Sequence, residues 1–273
     1  MKYFKQKLMG VLMVSLFAAN ATAQLDEFPR TPSGKPDFSG IWQAMTKAHY
    51  DVEPHAAAYG PHPDRMGALS AIPGSQGIVE GGSIPYTVTA LRQRDENRIN
   101  AIDNDPLAKC YMPGVPRANY LPFPFQIVQS TDVILIAYEF AEANRILYVD
   151  QPGIQSQVDA WMGHSNASWD GDTLVVTVTG QMPDTWFDRA GNHHSWEMVV
   201  EERYTPMGPN HIQYEATITD PNTFTQPWTV SLPLYRHVAE NYQLLEFKCA
   251  EFAEEYLYGE YRKAGTPIGN PPQ

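Results

Sequence analysis

From about residue 124 onward, the chain consists of short segments rich in β-branched and aromatic residues. Tight turns such as Asp170-Gly171-Asp172 and Met207-Gly208-Pro209-Asn210 separate these segments. Strand-forming segments at close spacing predict an antiparallel meander. The predicted strands are 127–128, 133–140, 145–150, 173–178, 197–204, 211–219, 228–234 and 243–247.

Apolar and polar residues alternate along several of these segments. In 211–219, one face carries Ile212, Tyr214, Ala216 and Ile218, and the opposite face is polar. One face of the sheet is therefore predicted to be buried and the other to be exposed to solvent. Closing about eight such strands removes exposed edges and can enclose a small ligand. We predict an all-β, single-domain, antiparallel up-and-down barrel, with a two-sheet sandwich as the competing architecture.

The segment Asp37–Trp42 is the predicted first strand, and its Gly40-Ile41-Trp42 resembles the opening of lipocalin-like barrels. That resemblance implies a Trp42 packed across the barrel base. Within a single domain of residues 24–273, we expect a loop-rich part over 36–123 and a strand meander over 124–250. A short helix is expected at Leu91–Ile102, and a short C-terminal helix over 253–262.

The first residues have the pattern of a secretory signal. Lys2, Lys5 and Lys7 precede an apolar run over 8–19, and Ala21-Thr22-Ala23 follows it. A charged start, an apolar middle and a small-residue cut site predict removal of 1–23 and a periplasmic or secreted protein. The apolar run is too short to span a bilayer, and no other window predicts a membrane helix.

The chain has two cysteines, Cys110 and Cys249. An oxidising compartment favours joining them in a disulfide. Two buried thiols are the main alternative. A reactive thiol is the third, although neither cysteine lies in a C-x-x-C or beside a histidine.

Composition excludes several classes of protein. Of 273 residues, 43% are hydrophobic and 18% are charged, which excludes a disordered chain or a coiled coil. The net charge of −12 argues against nucleic acid or an anionic membrane surface as partner. No GxGxxG, P-loop, GxSxG, HExxH or CxxC motif is present, so the common nucleotide, hydrolase, zincin and redox signatures are absent.

Histidines near two neighbouring strands are the first candidates for chemistry. His164 precedes the strand at 173–178, while His193 and His194 precede the strand at 197–204. Two converging imidazoles can act as general base and general acid near neutral pH. The alternative is that each is a loop histidine that forms a hydrogen bond to the backbone and has no catalytic role.

A metal site made from these histidines and Asp188 is disfavoured, because adjacent residues of an extended segment point to opposite faces. We therefore predict no bound metal. A second group of histidines lies in the loop-rich part near Asp51 and Glu53, and its spacing predicts solvated loop residues: His49, His55 and His62.

Glu139 follows Val133, Leu135 and Ala137 on one face of a predicted strand. If that face lines the interior, the carboxylate needs a cationic partner such as Arg145 or Arg117. Such a pair is either structural or binds an anionic or phenolic oxygen of a ligand. Aromatic residues that offer a surface to a flat ring, unless they are simply core, are Tyr138, Trp161, Trp169, Trp186 and Tyr204.

Four blocks of the sequence together resemble a family of exported bacterial proteins. The blocks are Pro36–Trp42, Lys109–Arg117, Gly163-His164-Ser165 leading to Trp169–Val176, and His194-Ser195 leading to Glu201–Tyr204. Some members of the family are lignin phenylcoumaran decarboxylases or formaldehyde lyases, which remove a one-carbon unit without an organic cofactor. The sequence departs from the family pattern around Asn166–Ser168, where a Gly followed by a basic residue is common.

This resemblance implies a chemical role for each candidate residue. His164 or His194 would be the base, and Asp188 or Glu139 would orient the imidazole. Arg145 or Arg117 would stabilise a developing phenolate, while Tyr138, Trp169 and Trp186 would contact the ring.

Three functions therefore follow from the sequence. The first is a cofactor-independent, lyase-type enzyme of aromatic compound catabolism. The second is a periplasmic carrier of an apolar ligand, which would have a mainly apolar cavity. The third is an envelope interaction module, for which a filled interior and an exposed apolar patch would be the signs. The oligomeric state is left open.

Overall fold

The computed structural model describes residues 27–60, 67–151 and 158–253. Its nine strands form a closed barrel in chain order, with β1 paired to both β2 and β9. The predicted all-β barrel is therefore confirmed. The strands are β1 Gly40–Ala44, β2 Phe125–Gln129, β3 Val133–Tyr138, β4 Asn144–Val149, β5 His164–Asp170, β6 Thr173–Thr179, β7 Val199–Gly208, β8 His211–Thr219 and β9 Trp228–Arg236.

The barrel differs from a pure antiparallel meander at one pair of strands. β4 and β5 run parallel, with Leu147 opposite Ser165 and Val149 opposite Ala167. Parallel neighbours need a crossover connection, and here it lies between the end of β4 at Val149 and the start of β5 at His164. β5 was not predicted from the sequence, because many of its residues are polar. The predicted strand at 243–247 is wrong, because that segment has no strand structure.

The inward faces follow the expected alternation in β8 but not in β3. Ile212, Tyr214, Ala216 and Ile218 are buried, as expected. In β3 the buried residues are Ile134, Ile136 and Tyr138, so the face of Val133, Leu135, Ala137 and Glu139 points outward. An alternating strand defines two faces, but when both are apolar only the neighbouring strands decide which is buried.

Trp42 of β1 belongs to the buried apolar core of the barrel. It is fully buried and its indole donates a hydrogen bond to the carbonyl of Phe38 at 2.8 Å. Its ring stacks on Phe28 and lies 4.3 Å from the guanidinium carbon of Arg236.

The loop-rich part is packed onto the barrel. Val52, Ile78 and Ile84 belong to the same buried apolar cluster as the strands. The predicted helix is present as α1, Val88–Ile99, and is followed by the short α2, Ala101–Asn104. Short 3₁₀ helices are formed by Gly67–Ser70, Pro106–Lys109, Arg117–Tyr120 and Phe140–Glu142.

Cys110 and Cys249 form a disulfide, which confirms the pairing favoured by the sequence. It attaches the segment after β9 to the loop-rich part. No helix among the described residues has the length and apolar character that crossing a membrane requires. The predicted signal over 1–23 and nearly all of the predicted helix over 253–262 lie outside the described residues.

Candidate functional site

Buried side chains of β4, β7 and β8 form an ionic network inside the barrel. The Glu202 Oε1 atom accepts hydrogen bonds from Arg145 Nη1 at 3.1 Å, Asn119 Nδ2 at 3.0 Å, Tyr204 OH at 2.9 Å and Tyr214 OH at 2.8 Å. Its Oε2 accepts from Arg145 Nη2 at 2.5 Å. These five hydrogen bonds give the buried carboxylate a donor at both oxygens.

The remaining polar groups of this network are also paired. Arg145 Nη2 donates to Ser165 Oγ at 2.8 Å, and Tyr138 OH donates to Asn119 Oδ1 at 2.8 Å. Burial raises the pKa of Tyr138 to about 12, so its phenol is neutral. Because these buried groups form hydrogen bonds with one another, we assign the network a structural role.

The interior position expected for Glu139 is wrong. Its carboxylate is half-buried on the outer side and accepts a hydrogen bond from Leu245 N at 2.7 Å. The partner of Arg145 is Glu202, which sequence reasoning missed. The alternation Val200-Glu202-Tyr204 was the available signal, because it places Glu202 on the buried face of β7.

A cavity of about 330 Å³ lies beside the barrel, between the loop-rich part and the segment after β9. Four of its lining residues are polar: His49 follows β1, Asp105 follows α2, Arg117 lies in a helical turn before β2, and Arg189 lies in the loop between β6 and β7. The other walls are apolar and include Leu107, Leu121, Phe123, Phe140 and Phe252. We call this space the side cavity.

A buried ion pair forms one wall of the side cavity. The Arg117 Nη1 and Nη2 atoms donate to the two carboxylate oxygens of Asp105, each at 2.9 Å. The side chains are 1% and 6% exposed, respectively. Asp105 also accepts from Leu107 N at 3.0 Å, which fixes the first turn of the following helix.

Arg189 and His49 are the other polar groups among the described lining residues. Arg189 is half-buried, and its backbone N donates to the carbonyl of His49 at 3.1 Å. Its guanidinium carbon lies 6.0 Å from the ring of Tyr50. Among the described residues, His49 Nδ1 and Arg117 Nε are buried without a hydrogen-bond partner. Buried polar atoms are rarely left in this state, and Trp228 Nε1 and Arg236 Nε share it.

Electrostatics hold His49 in its neutral form. Burial, together with the positive charges of Arg189 and Arg117, lowers the pKa of its imidazole to about 3. A neutral imidazole beside two guanidinium groups can accept a proton while the cations stabilise a developing negative charge.

The disulfide positions the outer wall of the side cavity. Cys110 ends the helical turn that carries Leu107 and Ala108, and it is bonded to Cys249. Three residues after that cysteine, Phe252 N donates to the carbonyl of Ala108 at 2.7 Å. The disulfide and this hydrogen bond therefore join the two sides of the cavity.

His194, a predicted base, is buried outside the side cavity. Its Nδ1 lies 2.8 Å from the carbonyl of Ser195, and its Nε2 lies 2.7 Å from Thr185 Oγ1. The carbonyl requires a proton on Nδ1, so Nε2 accepts from the hydroxyl. Burial lowers the pKa of His194 to about 4. The imidazole is therefore a satisfied part of the core.

His164 lies in a separate surface groove of about 370 Å³, where Tyr148, Trp161 and Met162 are also lining residues. Its Nε2 is 3.1 Å from the carbonyl of Val158. His164 and His194 both adjoin the turn at 180–181, but they face different surroundings.

Asp188, expected to orient an imidazole, instead organises its own loop. Its carboxylate accepts from Val52 N at 2.8 Å, Ala190 N at 2.9 Å, Asn192 N at 3.2 Å and Asn192 Nδ2 at 2.6 Å. Burial and the charge of Asp51 raise the pKa of Asp188 to about 8. These contacts assign it a structural role.

The other predicted contacts divide among the side cavity, the core and the groove of His164, which Arg145 and Trp161 also line. Of the predicted binding residues, Arg117 lines the side cavity. Tyr138 lies in the central network, Trp169 stacks on Phe38, and Trp186 is buried in a small apolar cluster with Ile72. His193 bonds to the carbonyl of Ala90 at 3.1 Å. Among the described residues, no three His, Cys, Asp or Glu side chains converge as metal ligands.

A change in pH is expected to reveal the buried, neutral state of His194. Its pKa of about 4 lies below the usual 6.5, so the unfolded chain binds the proton more tightly. Its contribution to stability is complete above pH 6.5 and is lost as pH falls towards 4. We expect His194→Gln to remove about 2 to 3 kcal/mol of the loss in unfolding free energy between pH 7 and 4.5, measured by denaturant titration. An equal effect of His211→Gln, which changes an exposed histidine, would contradict this assignment.

Comparison with known proteins leaves the family open: no family model matches the chain, and no curated protein is significantly similar to it.

Proposed function

We propose that this protein is an exported enzyme that performs acid–base chemistry on a small aromatic molecule in the side cavity. The observation that carries the proposal is the cavity lining. The charged side chains among the described lining residues are Arg117, Arg189 and Asp105, and they lie beside a neutral His49 and three phenylalanines. Export is supported by the signal-like first residues and by the disulfide.

The lining supplies the groups that such chemistry needs. His49 is the candidate base, because its imidazole is neutral and lies in the cavity wall. Arg189 is the candidate donor to a developing oxyanion, and Arg117 adds positive charge that Asp105 partly neutralises. Phe123, Phe140 and Phe252 offer aromatic faces to a flat ring.

The resemblance to phenylcoumaran lyases suggests one reaction for this arrangement. The base removes the proton of a substrate hydroxymethyl group, and the adjacent C–C bond breaks to release formaldehyde. The electron pair of that bond forms a C=C bond while the ring C–O bond opens, which leaves a phenolate. The phenolate then takes the proton back from the imidazolium. In this proposal His49 takes the role first assigned to His164 or His194, because neither of those residues lines the side cavity.

The apolar share of the lining favours a carrier as the second candidate. Most of the residues around the cavity are apolar, which suits retention of an apolar ligand without reaction. A carrier and an enzyme differ in turnover: a carrier binds the aromatic molecule and releases it unchanged.

Replacement of His49 tests the enzymatic proposal. We expect His49→Gln to lower turnover at least a hundredfold, since a general base contributes about 10² to 10⁴ in rate. The purified protein is screened against lignin-type dimers and simpler aromatics, and products are followed by liquid chromatography with mass detection.

The matched control is His211→Gln, because this histidine is exposed on β8. We expect it to retain wild-type turnover. A loss below threefold for His49→Gln on an active substrate would reject His49 as the base. Binding of aromatics without any product would favour the carrier.

A further inference from the structure

The surface groove that contains His164 is separate from the side cavity, and we call it the outer groove. Its volume is about 370 Å³, and its lining includes Asn144, Tyr148, Trp161 and His164. The outer groove and the side cavity share no described lining residue. The proposed chemistry at His49 therefore leaves this groove without a role.

The charges around the outer groove favour an uncharged ligand. Arg145 is the one Lys, Arg, Asp or Glu among its described lining residues. Both terminal nitrogens of Arg145 are already paired with the buried Glu202. Asp159 lies near His164, since both approach Gly180, but its side chain is exposed and is screened by solvent. A ligand with a net charge thus gains little from this lining.

The outer groove offers hydrogen-bonding groups that no described residue uses. They are the amide of Asn144, the hydroxyl of Tyr148, the indole nitrogen of Trp161 and Nδ1 of His164, whose Nε2 is the atom bonded to a backbone carbonyl. Together these groups can both donate and accept. A ligand rich in hydroxyls would satisfy them, whereas a plain aromatic ring would take them from water without replacing those hydrogen bonds.

An aromatic pair supports one side of the outer groove. The ring of Trp161 contacts the ring of Tyr111 at 4.5 Å between centroids, and Tyr111 is 42% exposed. An indole held by a neighbouring ring loses little freedom when a ligand binds. The negative face of an aromatic ring attracts the C–H groups on the apolar face of a sugar ring.

An uncharged strip of the barrel surface continues from the outer groove, and we call it the outer strip. Val128 of β2 lies opposite Leu135 of β3, which lies opposite Ile146 of β4. Their exposed fractions are 51%, 36% and 44%, and Ile146 also lines the outer groove. No outward position of these three strands holds Lys, Arg, Asp or Glu.

The size of the outer strip selects its occupant. Three neighbouring strands, each with about five residues, cover roughly 10 Å by 13 Å. A stable protein interface buries about 800 Å² on each partner, which is several times more. The strip is therefore too small for a second copy of the chain, but it suits a narrow, extended ligand that starts in the outer groove.

We propose that the outer groove and the outer strip bind a neutral oligosaccharide. One sugar ring lies against Trp161, and its hydroxyls bond to the amide, phenol and imidazole groups of the lining. The following sugars place their apolar faces on Ile146, Leu135 and Val128. This site goes beyond the proposed function and gives the protein a means of attachment to an uncharged polysaccharide.

Calorimetric titration with three neutral probes tests the proposal. Cellohexaose, xylohexaose and maltohexaose are each compared with the corresponding disaccharide. We expect at least one hexasaccharide to bind, and to bind at least tenfold more tightly than its disaccharide, because the longer chain also covers the outer strip. Failure of all three hexasaccharides to bind at millimolar concentration would overturn the inference.

Variants of the groove separate this site from the rest of the surface. Trp161→Ala should weaken hexasaccharide binding at least tenfold, and Tyr148→Phe, which keeps the ring and the packing, about threefold or more. Trp196→Ala is the matched control, because Trp196 is 63% exposed and does not line the groove. Binding that neither Trp161→Ala nor Tyr148→Phe weakens would overturn the inference.

A variant of the outer strip tests the path of the sugar chain. Val128→Asn should reduce the advantage of the hexasaccharide and leave disaccharide binding unchanged. Two results would overturn the inference in favour of another occupant. One is a lignin-type dimer that binds in place of the saccharides and is weakened by Trp161→Ala. The other is self-association of the protein that Val128→Asn abolishes, measured by sedimentation.

These outcomes are distinct from those of the proposed function. Trp161→Ala should leave turnover of an aromatic substrate unchanged, since the side cavity is separate from the outer groove. Turnover that depends on His49 without saccharide binding would reject this inference and retain the enzyme. Saccharide binding without turnover of any aromatic substrate would retain this inference and reject the enzyme.

Discussion

A Glu202→Ala variant is expected to lose about 3 to 5 kcal/mol of unfolding free energy. Glu202 is fully buried and receives both terminal nitrogens of the Arg145 guanidinium. Its removal leaves a buried charge without a counter-ion, and the donors of Tyr204 and Tyr214 lose their acceptor. The cost of a charge left unpaired in a low-dielectric core exceeds that of a lost surface ion pair several times over.

Chemical denaturation monitored by tryptophan fluorescence measures this effect. The matched control is Glu201→Ala, because Glu201 is the next residue of β7 and is exposed. We expect the control to change stability by less than about 0.5 kcal/mol. A loss below about 1 kcal/mol for Glu202→Ala would mean that the network contributes little, and that water or rearranged side chains replace the carboxylate.

Removal of the disulfide is expected to have the second largest effect. The double variant Cys110→Ala/Cys249→Ala should lose about 2 to 5 kcal/mol of unfolding free energy, because the bond closes a loop between residues 139 positions apart. The larger the loop, the more conformational entropy the cross-link removes from the unfolded chain. The variant should also bind side-cavity ligands more weakly, since Phe252 and Ala253 line the cavity just after Cys249.

Reductant provides the control for this experiment. It should destabilise the wild type by about as much as the double substitution and leave the variant unchanged. Ligand affinity is measured in parallel by calorimetry at a temperature where both proteins are folded. If the variant loses stability but keeps full affinity, the wall of the cavity does not depend on the disulfide.

Some site residues were within reach of sequence reasoning, and others were not. Arg117 was predicted as a binding residue and lies in the side cavity, and the pairing of the cysteines was favoured from their compartment. His49 was assigned to a solvated loop, because nothing local indicates that a loop will fold back onto a helical turn about 70 positions away. Glu202 was missed although strand alternation already placed it on the buried face of β7.

Some features of the fold were likewise predicted correctly from the sequence, and others were not. Alternation in β8 predicted its buried face correctly, because polar and apolar residues differ clearly there. In β3 both faces are apolar, so the inward face was predicted wrongly. β5 was missed because Ser165, Asn166 and Ser168 are not typical strand residues, and pairing with β4 and β6 overrides that local preference.

Local pattern alone thus predicted an all-β fold and favoured a barrel over a two-sheet sandwich, because side-chain period, turn residues and composition are properties of neighbouring positions in the chain. Tertiary structure alone decided that residues 49, 117 and 189 meet at one cavity, that Glu202 neutralises Arg145, and that His194 is buried and neutral. The physical reason is that charge compensation and burial depend on distances between remote segments. Those distances exist only once the barrel has closed.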